Sequence, residues 1–170
     1  AALQRTGQSA EALRCFREAR VEHPEAVELI FAMAGAEAAL GEQVLASHAI
    51  EDATKQFESA GETFARCGDD ERLAESAAYN AATCLLHVDR VLKKKGDYGG
   101  RVENLKHAVE ALSAVTKAWP GNARAAKNLD YARYQLARLL QEPPSPEDEN
   151  EEHPEDDEKP VSEVAGATMQ

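Results

Sequence analysis

The sequence predicts an all-α protein of antiparallel helical hairpins, and a recurring spacing is the first observation behind this prediction. From Ala12 onward, a bulky residue follows four positions later, a small one after three more, and Pro24 five further on. The stretch from Ala108 to Pro120 repeats these offsets, and one around Ala46 carries the pattern without the proline. Offsets of four and three place residues on one helical face. We therefore expect Ala12, Ala46 and Ala108 at helix–helix contacts, with the prolines ending the helices.

The composition supports the same fold class. The chain has 170 residues, enough for one domain, and 43% of them are hydrophobic while only 5% are aromatic. Segments rich in alanine, glutamate and arginine favour helix, and no convincing run of alternating β-branched residues predicts a strand. Small apolar faces suit closely packed helical hairpins better than one large aromatic core.

Turn signals divide the chain into six helices, with Pro24, Gly41, Gly96 and Pro120 marking four of the ends. We expect the helices at about residues 9–21, 26–40, 43–65, 71–94, 101–118 and 123–141. The third and fourth are two or more turns longer than a hairpin repeat requires, so some helices are elongated. Asn122 is expected to cap the sixth helix.

A strongly acidic tail follows the predicted helices. Residues 141–170 hold 11 of the 31 acidic residues and 1 of the 19 basic ones, so the remainder, with 20 acids and 18 bases, is nearly neutral. Low hydrophobicity with high net charge does not offset the entropy of ordering, and we expect residues 142–170 to be disordered. The predicted organisation is thus a helical repeat domain over residues 1–141, with its first repeat truncated, followed by this tail.

Charge and hydropathy limit the partners and the compartment. Neither part of the chain carries the basic face that a duplex nucleic-acid binder needs. The longest apolar stretch, residues 27–40, contains Glu28 and Glu37, and we expect it to be too short and too charged to span a bilayer. An odd number of unpaired cysteines and the lack of a leader in this sequence predict a cytoplasmic protein by default. A segment upstream of Ala1 would change that prediction to the cell envelope.

The repeat spacing and two local stretches resemble the tetratricopeptide (TPR) repeat, a stacked helical hairpin of about 34 residues. Both stretches, residues 78–82 and 126–130, are similar to the start of the consensus repeat, with Asn80 and Asn128 in equivalent positions. Residues 119–133 are similar to the end of TPR proteins from bacterial aerotolerance (Bat) operons. The resemblance implies a bacterial protein with a TPR-like solenoid fold. A Bat-like protein would work in the envelope or periplasm beside von Willebrand factor A-type proteins.

In a TPR hairpin the first helix of each pair lines a concave groove, which the resemblance maps onto the second, fourth and sixth helices. The implied peptide-binding residues are Glu28, Phe31, Tyr79, Thr83, His87, Arg124, Lys127, Asn128, Tyr131 and Tyr134. Cations and tyrosines together on the sixth helix favour an acidic or carboxylate-bearing ligand, which the acidic tail itself can supply. Alternatively, the two tyrosines at 131 and 134 cover the open end of the repeat array. Gly35 stands where the carboxylate clamp of some TPR proteins needs asparagine, so that clamp is not expected.

No motif for catalysis, a metal or a cofactor stands out. Cys84 and His87 lie three residues apart on a predicted helix, but two ligands do not make a structural zinc site. Lys93 belongs to a lysine run that we expect to form a solvated helix end. The favoured function is a non-catalytic scaffold that binds a peptide or helix of a partner protein in the groove. The alternative is a structural scaffold that self-associates as a homo-oligomer and has no open groove.

Overall fold

The computed structural model describes residues 8–141, and within that range it is all-helical. Its six helices are α1 (Ser9–Glu22), α2 (Val27–Ala46), α3 (Ile50–Ala65), α4 (Ala74–Lys95), α5 (Tyr98–Ala118) and α6 (Ala123–Gln141). The all-α prediction and the number of helices are confirmed for this range. The predicted acidic tail, residues 142–170, and the predicted truncated first repeat, residues 1–7, lie outside the described residues.

The boundary predicted at Gly41 is wrong. Helix α2 continues through Gly41 to Ala46, and α3 begins only at Ile50. A Cβ atom at Gly41 would lie 2.8 Å from a ring carbon of Phe57 on α3, so this glycine permits a close helix crossing. His48, with a φ of 65°, lies in the connection instead. The extra length therefore belongs to α2, at 20 residues, and not to α3, at 16.

Among the other predicted helix contacts and caps, some are confirmed and some are wrong. Ala12 and Ala108 are buried, as expected, but Ala46 is exposed because it lies in the last turn of α2, beyond the crossing with α3. Asn122 does cap α6, accepting a hydrogen bond from the amide of Ala125 at 2.9 Å. At α5, Asp97 accepts a hydrogen bond from the amide of Gly100 at 2.8 Å, and the helix begins three residues earlier than predicted.

Each helix packs against its neighbours in sequence, and α4 also touches α2 and α6. Thus α2, α4 and α6 lie side by side, while α3 and α5 both pack on α4. The largest core cluster joins α4, α5 and α6 and contains Ala82, Leu86, Leu105, Ala108, Leu112, Leu129 and Ala132. A second cluster joins α2, α3 and α4 and contains Leu45, Ala53, Phe57, Val88 and Val91. Helix α4 is therefore the centre of the packing.

Helix α2 is the most apolar of the described helices. With 20 residues and a mean hydropathy of 1.4, it is long and apolar enough to cross a membrane by length and composition, a test that buried core helices also pass. The expectation that this stretch is too short is therefore wrong. In this structure α2 packs against α1 and α3. Glu37 is buried within it, accepts a hydrogen bond from Thr63 at 3.1 Å and pairs with Arg17 at 3.6 Å.

Candidate functional site

Four of the predicted groove residues come together between α4 and α6. The side-chain amide of Asn128 donates to the hydroxyl oxygens of Tyr79, at 3.2 Å, and Thr83, at 3.4 Å. The guanidinium of Arg124 lies over the Tyr79 ring, 5.6 Å from its centroid, a cation–π arrangement. These contacts join two helices that touch only lightly. The cluster is thus a cross-link within the protein as well as a polar surface.

Two other predicted groove residues contact α3 instead. The ring of Phe31 packs edge-on against Phe64, with centroids 5.1 Å apart. The ring of His87 stacks on Phe57 at 4.9 Å, and its Nδ1 lies 2.8 Å from a carboxylate oxygen of Glu42. Burial lowers the pKa of His87 and outweighs the opposing effect of the Glu42 carboxylate. Both aromatic rings are therefore already committed to internal packing.

The remaining predicted residues are exposed. Glu28 pairs with Arg72 at 2.6 Å, and its pKa is lowered first by a hydrogen bond from its own backbone amide and then by Arg72. Lys127, Tyr131 and Tyr134 lie on the exposed surface of α6, where the tyrosines are 44% and 62% accessible. The ten predicted residues thus form one polar cluster, two internal aromatic contacts, one surface ion pair and an exposed stripe on α6.

A large cavity lies elsewhere, in an apolar cleft between α3 and α5 with α4 as its floor. Its volume is about 830 Å³. The floor residues are Ala78, Ala81, Ala82, Leu85, Val88 and Leu92. The α3 wall is formed by Thr54, Glu58, Gly61, Glu62 and Ala65. The α5 wall is formed by Gly100, Asn104, His107, Ala111, Ala114 and Ala118, and Trp119 lies at one end. We call this feature the α3–α5 cleft.

Small side chains explain why the cleft stays open. Gly61 and Ala65 on α3 and Ala111 and Ala118 on α5 line the cleft, and their small side chains leave space between the two helices unfilled. Asn104 holds α5 in place, because its side-chain amide donates to the backbone carbonyl of Leu85 at 2.7 Å. The walls therefore stand apart on a well-packed α4.

The charge in the α3–α5 cleft is negative. Glu58 and Glu62, one turn apart on α3, are its charged wall residues, and the described lining contains no lysine or arginine. Both carboxylates are exposed at the rim, and no cation of residues 8–141 forms an ion pair with either. The cleft thus combines an apolar floor with one acidic border.

The thiol that lines the cleft is shielded by burial. Cys84 lines it, and burial raises the pKa of its thiol to about 12, so it stays protonated and poorly nucleophilic near neutral pH. His87, three residues further along α4, contacts Phe57 and Glu42 instead. Across residues 8–141, no group of three or more His, Cys, Asp or Glu side chains is placed to hold a metal ion.

Sequence reasoning missed the α3–α5 cleft, although its signal was present. Small apolar faces predict closely packed hairpins, and the sequence pattern assigned no role to Gly61. What distinguishes Gly61 from Gly41 is the neighbour: Gly41 faces the Phe57 ring, whereas a Cβ at Gly61 would meet only the Cβ of Cys84 at 3.4 Å and the carbonyl of Ala81 at 3.8 Å. Comparison of the chain with family models, curated proteins and solved structures finds no match.

Proposed function

We propose that this protein is a non-catalytic interaction scaffold with a TPR-like solenoid arrangement, and that its α3–α5 cleft binds an amphipathic helix of a partner protein. The observation that carries the proposal is the 830 Å³ apolar cleft with an acidic border. Helix-in-groove binding is a common mode of peptide recognition in which an apolar helix face enters a hydrophobic groove. The acidic-ligand site predicted around Tyr79 and Arg124 remains a prediction.

The shape of the cleft favours a helix over a compact small molecule. Its floor extends from Ala78 to Leu92, which is about 21 Å at 1.5 Å per residue. A trough of that length accommodates a helix of about four turns. The volume does not distinguish the two ligands, because it is also within the range of small-molecule pockets. The small wall residues also allow the backbone of a bound helix to come close. An elongated apolar helix therefore uses more of this surface than a compact ligand does.

The acidic border determines which helix is favoured. A partner helix with leucine-like side chains toward the floor and Lys or Arg along one edge places its cations beside Glu58 and Glu62. These contacts lie at the rim, so they contribute more to orientation and association rate than to affinity. The apolar contacts with Ala81 and Leu85 supply the larger share of the binding energy.

The test uses a labelled helical peptide of about four turns, with leucines on one face and lysines along one border. Fluorescence anisotropy with the full chain is expected to show saturable binding. Ala114→Trp puts a large side chain on the cleft wall at an exposed position and is expected to weaken binding at least tenfold. Ala126→Trp, an exposed alanine on α6 outside the cleft, is the matched control and should leave binding unchanged. Circular dichroism verifies that both variants keep their helix content.

A charge-reversal variant distinguishes binding of the peptide in the cleft from its nonspecific adhesion to the protein. The double variant Glu58→Lys with Glu62→Lys is expected to weaken binding of the lysine-bordered peptide. It should strengthen binding of the same peptide with glutamates in place of those lysines. The proposal fails if the two tryptophan variants bind equally, or if no peptide of either border binds. Displacement of the peptide by a compact apolar dye but by no unlabelled helix would instead indicate a small-molecule site.

A second function, self-association through α6, has its own supporting observation. Three of the four large apolar side chains that are exposed within residues 8–141 lie on α6: Tyr131, Tyr134 and Leu140. Tyr131 and Tyr134, three residues apart, share one face of α6, and a second copy that covers them would bury aromatic area of the kind that dominates interfaces. Light scattering at two concentrations is the test, with Tyr131→Ser and Tyr134→Ser expected to abolish any dimer. A mass that stays monomeric at both concentrations contradicts this function.

A further inference from the structure

The α3–α5 cleft has two distinguishable ends, because both wall helices run antiparallel to the floor helix α4. Two hydrogen bonds show the direction of α5. The side-chain amide of Asn104, early in α5, donates to the carbonyl of Leu85 at 2.7 Å, and that of Asn122, just after α5, donates to Glu75 at 3.0 Å. Positions further along α5 therefore lie beside earlier positions of α4.

Helix α3 has the same direction as α5. Phe57 packs in one core cluster with Val91, whereas Phe64, one helix end further on, packs in another cluster with Cys84. Both wall helices therefore end beside the start of α4. The lining residues there are Glu62, Ala65, Ala78, Ala118 and Trp119. We call this part of the cleft the Trp119 end.

Negative charge gathers at the Trp119 end. The carbonyl ends of α3 and α5 lie there, and the helix dipole gives each roughly half a negative charge. Glu62 occupies the last turn of α3, where a cation would offset that charge, so its carboxylate adds to it. The start of α4 contributes a positive dipole end, which Glu75 in its first turn offsets. Arg66, directly after α3, and Lys117, late in α5, are exposed and are not among the described lining residues.

The opposite end of the cleft differs in its charge. Helices α3 and α5 begin there, and their amide ends carry partial positive charge. Residues 93–95, three lysines, offset the carbonyl end of α4, while Glu51 and Asp52 lie in the first turn of α3. The described lining residues at this end are uncharged: Thr54, Leu92, Gly100 and Asn104. We call this part the Leu92 end. Within the described lining, the cleft is thus acidic only from its middle to the Trp119 end.

We infer that the partner helix lies in the cleft with its amino-terminal turn at the Trp119 end, so that it runs parallel to α4 and antiparallel to both walls. This inference rests on the proposed function and adds the polarity of the bound helix. In this direction the positive end of the partner's dipole meets Glu62 and the carbonyl ends of α3 and α5. The reverse direction places the carbonyl end of the partner beside the same negative groups.

The polarity also specifies the chemistry of the partner's first turn. A Lys or Arg in that turn comes to the end of the cleft that Glu62 and Trp119 line. A carboxylate accepts charge-assisted hydrogen bonds from such a cation, and an indole ring attracts it through its face. An isolated helix disfavours a cation in its first turn, because the cation opposes the helix's own dipole. The partner is therefore an amphipathic helix with a cation where a free helix would not place one.

The first test determines the polarity by paramagnetic broadening in nuclear magnetic resonance spectra of the full chain. The four-turn peptide carries a nitroxide at its amino end in one sample and at its carboxyl end in another. The two ends of the floor are about 21 Å apart, and the broadening falls steeply with distance. The amino-terminal label is expected to broaden the amides of Ala65 and Ala118, and the carboxyl-terminal label those of Gly100 and Asn104. The reverse pattern, or equal broadening by both labels, overturns the inference.

The second test measures the contact with Glu62. Two peptides of the same composition carry a pair of lysines either in the first turn or in the last turn. Glu62→Gln is expected to weaken binding of the first-turn peptide about threefold and to leave the last-turn peptide unchanged. The helicity of each free peptide is the same with both proteins, so it cancels from this comparison. Equal weakening of the two peptides contradicts the inferred polarity.

Glu51→Gln is the matched control for the second test. It removes the same charge from the same helix, at an exposed position outside the lining and beside the Leu92 end. It should leave the affinity for the first-turn peptide unchanged, and a threefold loss would show a general effect of charge. Circular dichroism checks that Glu62→Gln and Glu51→Gln keep the native helix content.

The outcomes separate the polarity of the helix from the binding function itself. If the peptides bind, Ala114→Trp weakens them and the labels report the reverse polarity, the cleft binds a helix and only the inferred polarity is wrong. If no peptide binds, or if Ala114→Trp and Ala126→Trp bind equally, the proposed function fails and the inferred polarity fails with it.

Discussion

The two faces of α4 differ in how far their side chains already have partners inside the protein. On the predicted groove face, Tyr79 and Thr83 are held by Asn128, and His87 is held by Phe57 and Glu42. On the cleft face, Ala81 and Leu85 border an open cavity. The polar, chemically varied face is thus largely closed by internal contacts, and the plain alanine face is open. A surface rich in functional groups is not by itself an available binding site.

The largest expected effect compares two glycines inside helices, one at the filled α2–α3 crossing and one beside the open cleft. Gly41→Ala places a Cβ within 2.8 Å of the Phe57 ring, and we expect it to lower the free energy of unfolding by about 1–2 kcal/mol, since overpacking outweighs the better helix propensity of alanine. Gly61→Ala meets only ordinary contacts and should be neutral or gain up to about 1 kcal/mol. Urea denaturation of both variants measures the difference. Equal effects would mean that the cleft side is packed as tightly as the α2–α3 crossing.

A smaller effect is expected at the polar cluster. Asn128→Ala removes the donor that joins Tyr79 and Thr83 across α4 and α6, and should cost about 1 kcal/mol. Lys127→Ala, at the adjacent exposed position, should stay within about 0.5 kcal/mol of the native chain. Thermal unfolding of the two variants gives the comparison. If Asn128→Ala costs nothing, the groove face is less closed than its hydrogen bonds indicate.

The smallest expected effect is a pH dependence at His87. Burial lowers the pKa of His87 below the ordinary value of 6.5, so between the folded and the unfolded pKa the unfolded chain binds more protons. The free energy of unfolding contributed by His87 is present above 6.5 and is lost as the pH falls below it toward the folded pKa. The Glu42 carboxylate opposes this loss and the Arg90 cation adds to it. His87→Gln should flatten the pH profile of the free energy of unfolding. A profile that His87→Gln leaves unchanged contradicts the closed environment of this ring.

Much of the local structure could be predicted from the sequence. Apolar residues at offsets of three and four determine the helices and their buried faces, and Asn122 and Pro120 determine the start of α6, because these are local rules. The end of α2 could not be predicted from Gly41. A glycine can either end a helix or allow a neighbouring helix to pack closely. At Gly41 the Phe57 ring requires the close packing, and Phe57 is 16 positions away in sequence.

What the sequence by itself determined is therefore the fold class, the nearly neutral helical body and the acidic run after it. Only the tertiary structure decided which small-residue faces are filled and which stay open. Gly41 is covered because Phe57 reaches it, whereas Gly61 and Ala114 border a cleft that neighbouring side chains do not fill. In the same way, Lys93, Arg101 and Arg138 are distant from one another in sequence and line one cavity because the ends of three helices are brought together by packing.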